Sequence, residues 1–184
     1  NNASGASIEL DAEKSLNSEF GLRYDDGEHL NVEAAVFRMD FDNQIVPASV
    51  AGGVGATLTS AGETLHAGAE LLATWDYDRN FADSYVNPFV SMSWTWVRDA
   101  EYRGSRTSTI TPGVNVSGNR LPYTPEHTLS LTAGVALQQG LRAQVELFHV
   151  DAMVTDDLNT RSMVNNGQRG LIPDYRIYNL TLNY

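Results

Sequence analysis

Apolar side chains fall on every second position through much of this chain. Leu30, Val32, Ala34 and Val36 alternate with Asn31 and Glu33. Leu65, Ala67, Ala69, Leu71, Ala73 and Trp75 interleave with His66, Gly68, Glu70 and Thr74. Val90, Met92, Trp94 and Trp96 enclose Ser91, Ser93 and Thr95. Leu129, Leu131, Ala133, Val135 and Leu137 alternate with Thr128, Ser130, Thr132 and Gly134, and Leu141, Ala143, Val145 and Leu147 with Arg142, Gln144 and Glu146. A period of two means strands with one apolar face. The pattern predicts seven of them, near residues 15–25, 29–41, 64–76, 85–98, 127–138, 141–151 and 175–184. No comparable stretch favours a helix.

The opposite faces carry Glu19, Arg23, Glu33, His66, Glu70, Gln144 and Glu146. A β-sandwich with one solvated face produces the same alternation. Strand length favours a membrane barrel: a tilted spanning strand needs roughly 9–11 residues, whereas globular strands usually have about five or six. Tyr24, Phe41, Trp75, Tyr77, Tyr85, Trp96 and Tyr184 stand near strand ends, where the aromatic girdles of membrane barrels lie. On a barrel, Leu129, Leu131, Val135 and Leu147 face lipid; on a sandwich they are buried between two sheets.

The connections sort by length. Asp25-Asp26-Gly27-Glu28 and Gln138-Gln139-Gly140 read as tight turns, and 78–84 is short. Residues 42–63, 99–126 and 152–174 are long. Short and long alternate, as the periplasmic turns and extracellular loops of outer-membrane barrels do. On that scheme the first strand starts outside. An odd count starting outside departs from the even-stranded rule, and Asn1-Asn2-Ala3-Ser4-Gly5 reads as loop. The expectation is therefore a segment of a larger barrel whose N-terminal part lies upstream.

Composition narrows the function classes. Of 184 residues, 42% are hydrophobic and 19% charged, and 23 Asp and Glu outweigh 12 Lys and Arg for a net charge of −11. That argues against nucleic acid, which needs clustered cations. The absence of cysteine removes disulfides, thiolate zinc sites and cysteine nucleophiles. No apolar run approaches the roughly 18 residues of a membrane helix.

Five segments carry a family resemblance. Residues Ala12 to Arg23 resemble a "PEKSxNxExGxR" strand opening, with Ala12 in place of the proline; Phe37 to Ile45 resemble "FxxDFxNQI". Ala61 to Leu71 resemble "GxTxHxGxEL", and Asn119 to Leu131 resemble "NRLPYxPxHxLSL". Gly167 to Tyr175 resemble a ferric-citrate-type subgroup. Together, in order, they resemble the C-terminal half of a TonB-dependent outer-membrane receptor. The resemblance implies an all-β fold, in which residues 1–184 form about seven strands of a 22-stranded antiparallel transmembrane barrel, with the N-terminal plug and terminal strands absent from this stretch. It implies TonB-driven uptake of a ferric chelate, a siderophore or ferric citrate, across the outer membrane of a Gram-negative bacterium. The implied partners are that chelate, the TonB complex through the plug, and outer-membrane lipid and lipopolysaccharide. A complete small outer-membrane barrel, a passive porin-like channel and a soluble sandwich module remain alternatives.

A receptor of this kind recognises its cargo and breaks no bonds, so no enzymatic activity, catalytic residue or cofactor is expected. Ferric chelates are oxygen-rich and often anionic, and the arginine fork pairs with carboxylates bidentately. The long loops offer Arg103 and Arg106, then Arg161 and Arg169, with Asn165, Asn166 and Gln168 as neutral partners. The plainer reading is that these arginines balance neighbouring acids such as Glu101, Asp156 and Asp157, or contact lipopolysaccharide phosphates. Asp40/Asp42, Asp76/Asp78 and Asp156/Asp157 lack the spacing of a calcium loop and read as loop anchors. His29, His66, His127 and His149 are too scattered for a catalytic metal. Gly52-Gly53-Val54-Gly55 lacks the ending of a phosphate loop.

Overall fold

The computed structural model describes residues 11–47 and 58–184; Asn1 to Gly5 and the Gly52–Gly55 stretch lie outside them. Eleven strands follow in chain order: β1 (Lys14–Asp25), β2 (Leu30–Asp42), β3 (Ile45–Pro47), β4 (Leu58–Ser60), β5 (Thr64–Asp76), β6 (Val86–Tyr102), β7 (His127–Leu137), β8 (Arg142–Val150), β9 (Met153–Val154), β10 (Leu171–Ile172) and β11 (Tyr175–Asn183). Seven form one antiparallel meander, β1-β2-β5-β6-β7-β8-β11. The pairs β3/β4 and β9/β10 are small ribbons inside two of the long loops. All the long strands except β6 agree with the sequence pattern to within a residue or two.

Register aligns the apolar positions into one face. Tyr24, Val32, Ala73, Met92, Leu131, Leu147 and Tyr178 stand side by side across the seven strands. Leu131 is exposed, while Leu129, Val135 and Leu147 are half-buried. Among the described residues no second large sheet packs on either face. The buried two-sheet core of a sandwich is therefore absent. The sheet does not close on itself here: β1 and β11 are its edges.

The opposite, inward face carries Glu19, Arg23, Glu33, Glu70 and Glu146, as expected. Arg23 Nε meets Glu33 Oε1 at 2.9 Å, and Glu146 accepts from Ser130 Oγ at 3.1 Å and Asn179 Nδ2 at 2.9 Å. These groups sit on the solvated wall because isolated charges facing lipid cost several kcal/mol. Two glycines let aromatic rings lie flat on this face. A Cβ on Gly134 would come within 2.5 Å of Phe89 Cζ, and one on Gly68 within 2.9 Å of Phe37 Cζ. A ring covering a cross-strand glycine restores the packing that the missing side chain forfeits.

Two expectations need correction. Phe41 is not in an outer girdle; it pairs with Thr64 on the inward face and sets its edge on His66, centroids 5.5 Å apart. Strand β6 does not end at residue 98 but continues to Tyr102, because the register slips between Ala67 and Gly68. Gly68 pairs with Val97 and Ala67 with Asp99, leaving Arg98 as the extra residue of a bulge. A bulge inverts the parity of everything beyond it, so Ala100 and Tyr102 turn inward and the alternation breaks.

Candidate ligand-binding loops

The three long loops gather at one end of the sheet, and all three short turns at the other. Beyond the bulge, the 103–126 loop folds over the inward face. Ala61, Ala100, Tyr102, Val116 and Leu121 form a buried cluster there, with Val97 and Leu158 packed against it. This small core holds the loops as a layer on the strand extension.

Polar groups then lock the 103–126 and 151–174 loops together. Arg120 spends its guanidinium on backbone carbonyls: Nη2 donates to Val97 at 2.7 Å and Pro125 at 3.0 Å, Nε to Thr124 at 3.0 Å, and Nη1 to Arg98 at 3.2 Å. The carbonyls freed by the bulge thus find a donor. Burial lowers the Arg120 pKa, while Glu126, Asp99 and Asp151 oppose that. Asn159 holds the same residue from the other loop: its Oδ1 accepts from Arg120 N at 2.9 Å and its Nδ2 donates to Arg120 O at 2.7 Å. Asn159 has a φ of 54°, a left-handed conformation that asparagine tolerates better than most residues. Asp157 is fully buried and accepts from Ser108 Oγ at 2.9 Å and Thr109 N at 2.8 Å. Asp156 Oδ1 accepts from Thr160 N at 3.0 Å.

Of the three acid pairs, Asp40, Asp76, Asp78, Asp156 and Asp157 are engaged in structure. Arg38 grips Asp40 with two bonds of 2.8 Å, Asn87 Nδ2 donates to Asp76 at 3.0 Å, and Asp78 accepts the amides of Ala82, Asp83 and Ser84. Among the described residues no group of three or more His, Asp or Glu is placed to hold a metal.

The six candidate ligand contacts separate into two sets. Arg103 Nη2 meets Glu101 Oε1 at 2.6 Å. Arg106 lies over the Tyr102 ring, 4.7 Å from its centroid, and its Nη1 donates to Ser60 O at 3.1 Å. Both therefore serve the wall and its loops. Arg161, Asn165 and Gln168 are exposed and Arg169 is half-buried. Gln168 and Arg169 line a cavity of about 250 Å³ with Thr155, Met163 and Leu171. Gln168 accepts from Asn166 Nδ2 at 3.0 Å; the side chains of Arg161, Asn165 and Arg169 have no hydrogen-bond or ion-pair partner among the described residues. Arg103 borders a separate hollow with Arg38 and Glu63. A third hollow, about 590 Å³, is the trough of the inward wall beside Arg23, Glu33 and Glu70.

Arg120, Asn159 and Asp157 were not foreseen as a unit. The Asn119–Leu131 segment was legible as a motif, but nothing local says that Arg120 meets a residue 39 positions away.

Comparison with known proteins follows the same lines. A family model described as TonB dependent receptor-like, beta-barrel, matches residues 1–184. The ferric citrate transporter FecA in its unliganded form is similar in structure, with a TM-score of 0.59 and 24% identity over 90% of this chain and 23% of that one. The ferric yersiniabactin uptake receptor FyuA from Yersinia pestis gives 0.63 and 21% over 94% and 22%. The siderophore receptor PirA from Acinetobacter baumannii gives 0.60 and 15% over 94% and 26%. The chain thus spans about a quarter of the length of these receptors. No curated protein sequence matches it.

Proposed function

Because this chain belongs to the TonB-dependent receptor β-barrel family, we propose that it forms part of the wall and outer loops of an outer-membrane receptor for TonB-driven uptake of a ferric chelate, a siderophore or ferric citrate, in a Gram-negative bacterium. The observation that carries this reading is the division of labour among the loop arginines. Arg103 and Arg106 are committed to Glu101, Tyr102 and Ser60. Arg161 and Arg169, by contrast, present uncommitted guanidinium groups on the long 151–174 loop, and Arg169 lines a cavity with Gln168. A planar fork with free donors suits the carboxylates and hydroxamates of an anionic iron complex. The solved receptors similar in fold carry ferric citrate, ferric yersiniabactin and siderophores by their names. In this reading the 103–126 loop and the Asp156–Asn159 segment form a fixed seat, and residues 161–170 present the binding groups.

The test is growth and iron uptake by the full-length receptor in a strain lacking its other iron receptors. With ferric citrate or a hydroxamate chelate as sole iron source, Arg169→Ala is expected to weaken binding about tenfold, the loss of one charge-assisted hydrogen bond. Deletion of TonB is expected to abolish uptake. Uptake that persists without TonB would make the protein a passive channel, and no growth on any ferric chelate would sink the cargo assignment.

A further inference from the structure

Arg169 carries the binding role proposed above, yet among the described residues no partner holds its guanidinium. Its direction is therefore inherited from the backbone beneath it. Residues 161–170 form a turn of their own: Val164 N donates to Arg169 O at 3.0 Å and Gly167 N to Val164 O at 2.8 Å. Asn166 and Gln168 bond each other at its tip. These bonds travel with the turn and fix nothing against the rest of the molecule. Among the described residues, hydrogen bonds tie 161–170 to the remainder of the chain only at its ends. One runs from Leu171 N to Arg161 O at 3.2 Å. The others belong to a single hydroxyl.

Thr155 Oγ1 accepts from Gly170 N at 3.0 Å and donates to Gly170 O at 2.9 Å. It thus grips the peptides on both sides of Gly170, and the first of these is the peptide that follows Arg169. A hydroxyl donates and accepts through one atom; a valine of the same shape does neither. Thr155 is itself well anchored. Val154 before it is buried, pairs with Leu171 and accepts from Tyr123 N at 2.9 Å. Asp156 after it is buried and accepts from Thr160 N. Gly170 suits the grip: its φ is 147°, and a Cβ there would come within 3.0 Å of Met163 Cα. A side chain at this position would push the turn off Thr155.

We propose that Thr155 is a positioning residue for cargo binding: through Gly170 it holds the Arg169 guanidinium at the cavity that Arg169 shares with Gln168, Met163 and Leu171. The inference rests on the ferric-chelate reading above. A long, flexible side chain on a loose backbone must be ordered by the cargo itself, which costs affinity. On a backbone clamped at the next peptide, part of that ordering is already done. The hydroxyl proton is spent on Gly170 O, so Thr155 has none left for the oxygens of a chelate. It acts through Arg169.

The test uses the full-length receptor, with assembly checked by heat-modifiable gel migration. The probes are ferric citrate, a ferric trihydroxamate and a ferric triscatecholate. Thr155→Val is expected to weaken the best-bound probe about tenfold, and Thr155→Ser, which restores the hydroxyl, to recover most of that. Thr155→Val combined with Arg169→Ala is expected to lose no more than about tenfold, because both changes remove the same contact. A general loosening of the loop would instead add to a loss of about a hundredfold. Trypsin supplies a readout that needs no cargo, since it cuts after arginine and the Arg169–Gly170 peptide is the one Thr155 holds. Cleavage there is expected to rise about tenfold in Thr155→Val and to stay near the wild-type rate in Thr155→Ser. The positioning role is overturned, with the cargo assignment left standing, by any of four results: unchanged affinity in Thr155→Val, a loss that serine does not recover, an additive double variant, or cleavage unmoved by removal of the hydroxyl. A wild-type receptor that binds none of the three probes overturns the cargo assignment, and the role of Thr155 in it, whatever the trypsin rates.

Discussion

Asp26 Oδ1 accepts the amides of Glu28, His29 and Leu30 at 2.9, 2.7 and 2.9 Å, closing the turn between β1 and β2. The neighbouring Gly27 adopts a φ of 78°, which a side chain would resist. The amides, that of Leu30 foremost, hold the Asp26 carboxyl below its ordinary 3.8, because they bond the ionised form. A carboxyl depressed in the folded state contributes stability that is complete above its unfolded value and lost as pH falls through the lowered one. The turn is therefore expected to be insensitive to pH above 3.8 and to loosen only in stronger acid. A carboxyl-detected NMR titration of Asp26 should give a midpoint below 3.8, and a midpoint at or above it would remove the account.

At the scale of elements, the loops differ in how they are held. The 103–126 loop and the start of the 151–174 loop are bound by Asn159, Asp157 and the buried Val116–Leu121 cluster. Asn159→Ala removes two hydrogen bonds to the Arg120 backbone and puts alanine at a positive φ. That is expected to cost about 3 kcal/mol locally. Limited proteolysis of the full-length receptor should show cleavage within 103–126 and 151–170 faster by about a hundredfold, since cleavage tracks the opened population. Cleavage at the wild-type rate would mean that the latch holds nothing. Residues 161–170 make fewer such bonds, and the uncommitted Arg161 and Arg169 belong to that stretch.

On the scale of the whole molecule, two faces with opposite demands share each strand. Leu131 points outward among Met92 and Leu147, and the next residue, Thr132, points inward between Ser91 and Glu146. Leu131→Arg is expected to cost about 2–4 kcal/mol at mid-membrane depth. Thr132→Arg gains Glu146 as a neighbour and is expected to be tolerated. The fraction of receptor assembled in outer membranes, read by heat-modifiable gel migration, should fall for the first and hold for the second; equal behaviour would place the membrane elsewhere. The same geometry leaves Phe20 66%, Leu22 68% and Leu180 81% exposed on and near the edge strands, surface that lipid and neighbouring strands suit better than water.

The sequence by itself determined the seven long strands, their apolar and charged faces, and the sorting of short turns from long loops. Each follows from a local rule: successive side chains on a strand point to opposite faces, so a period of two survives in one dimension. The inward position of Glu19, Glu33, Glu70 and Glu146 was legible for the same reason. Tertiary structure alone decided the rest. The bulge at Arg98 lengthened β6 and inverted its faces, and Phe41 turned inward to meet His66. Asp157 and Ser108 stand 49 residues apart and meet only once the loops are folded. Which arginine is committed and which is left with open donors depends on such long-range encounters, and spacing along a chain carries no record of them.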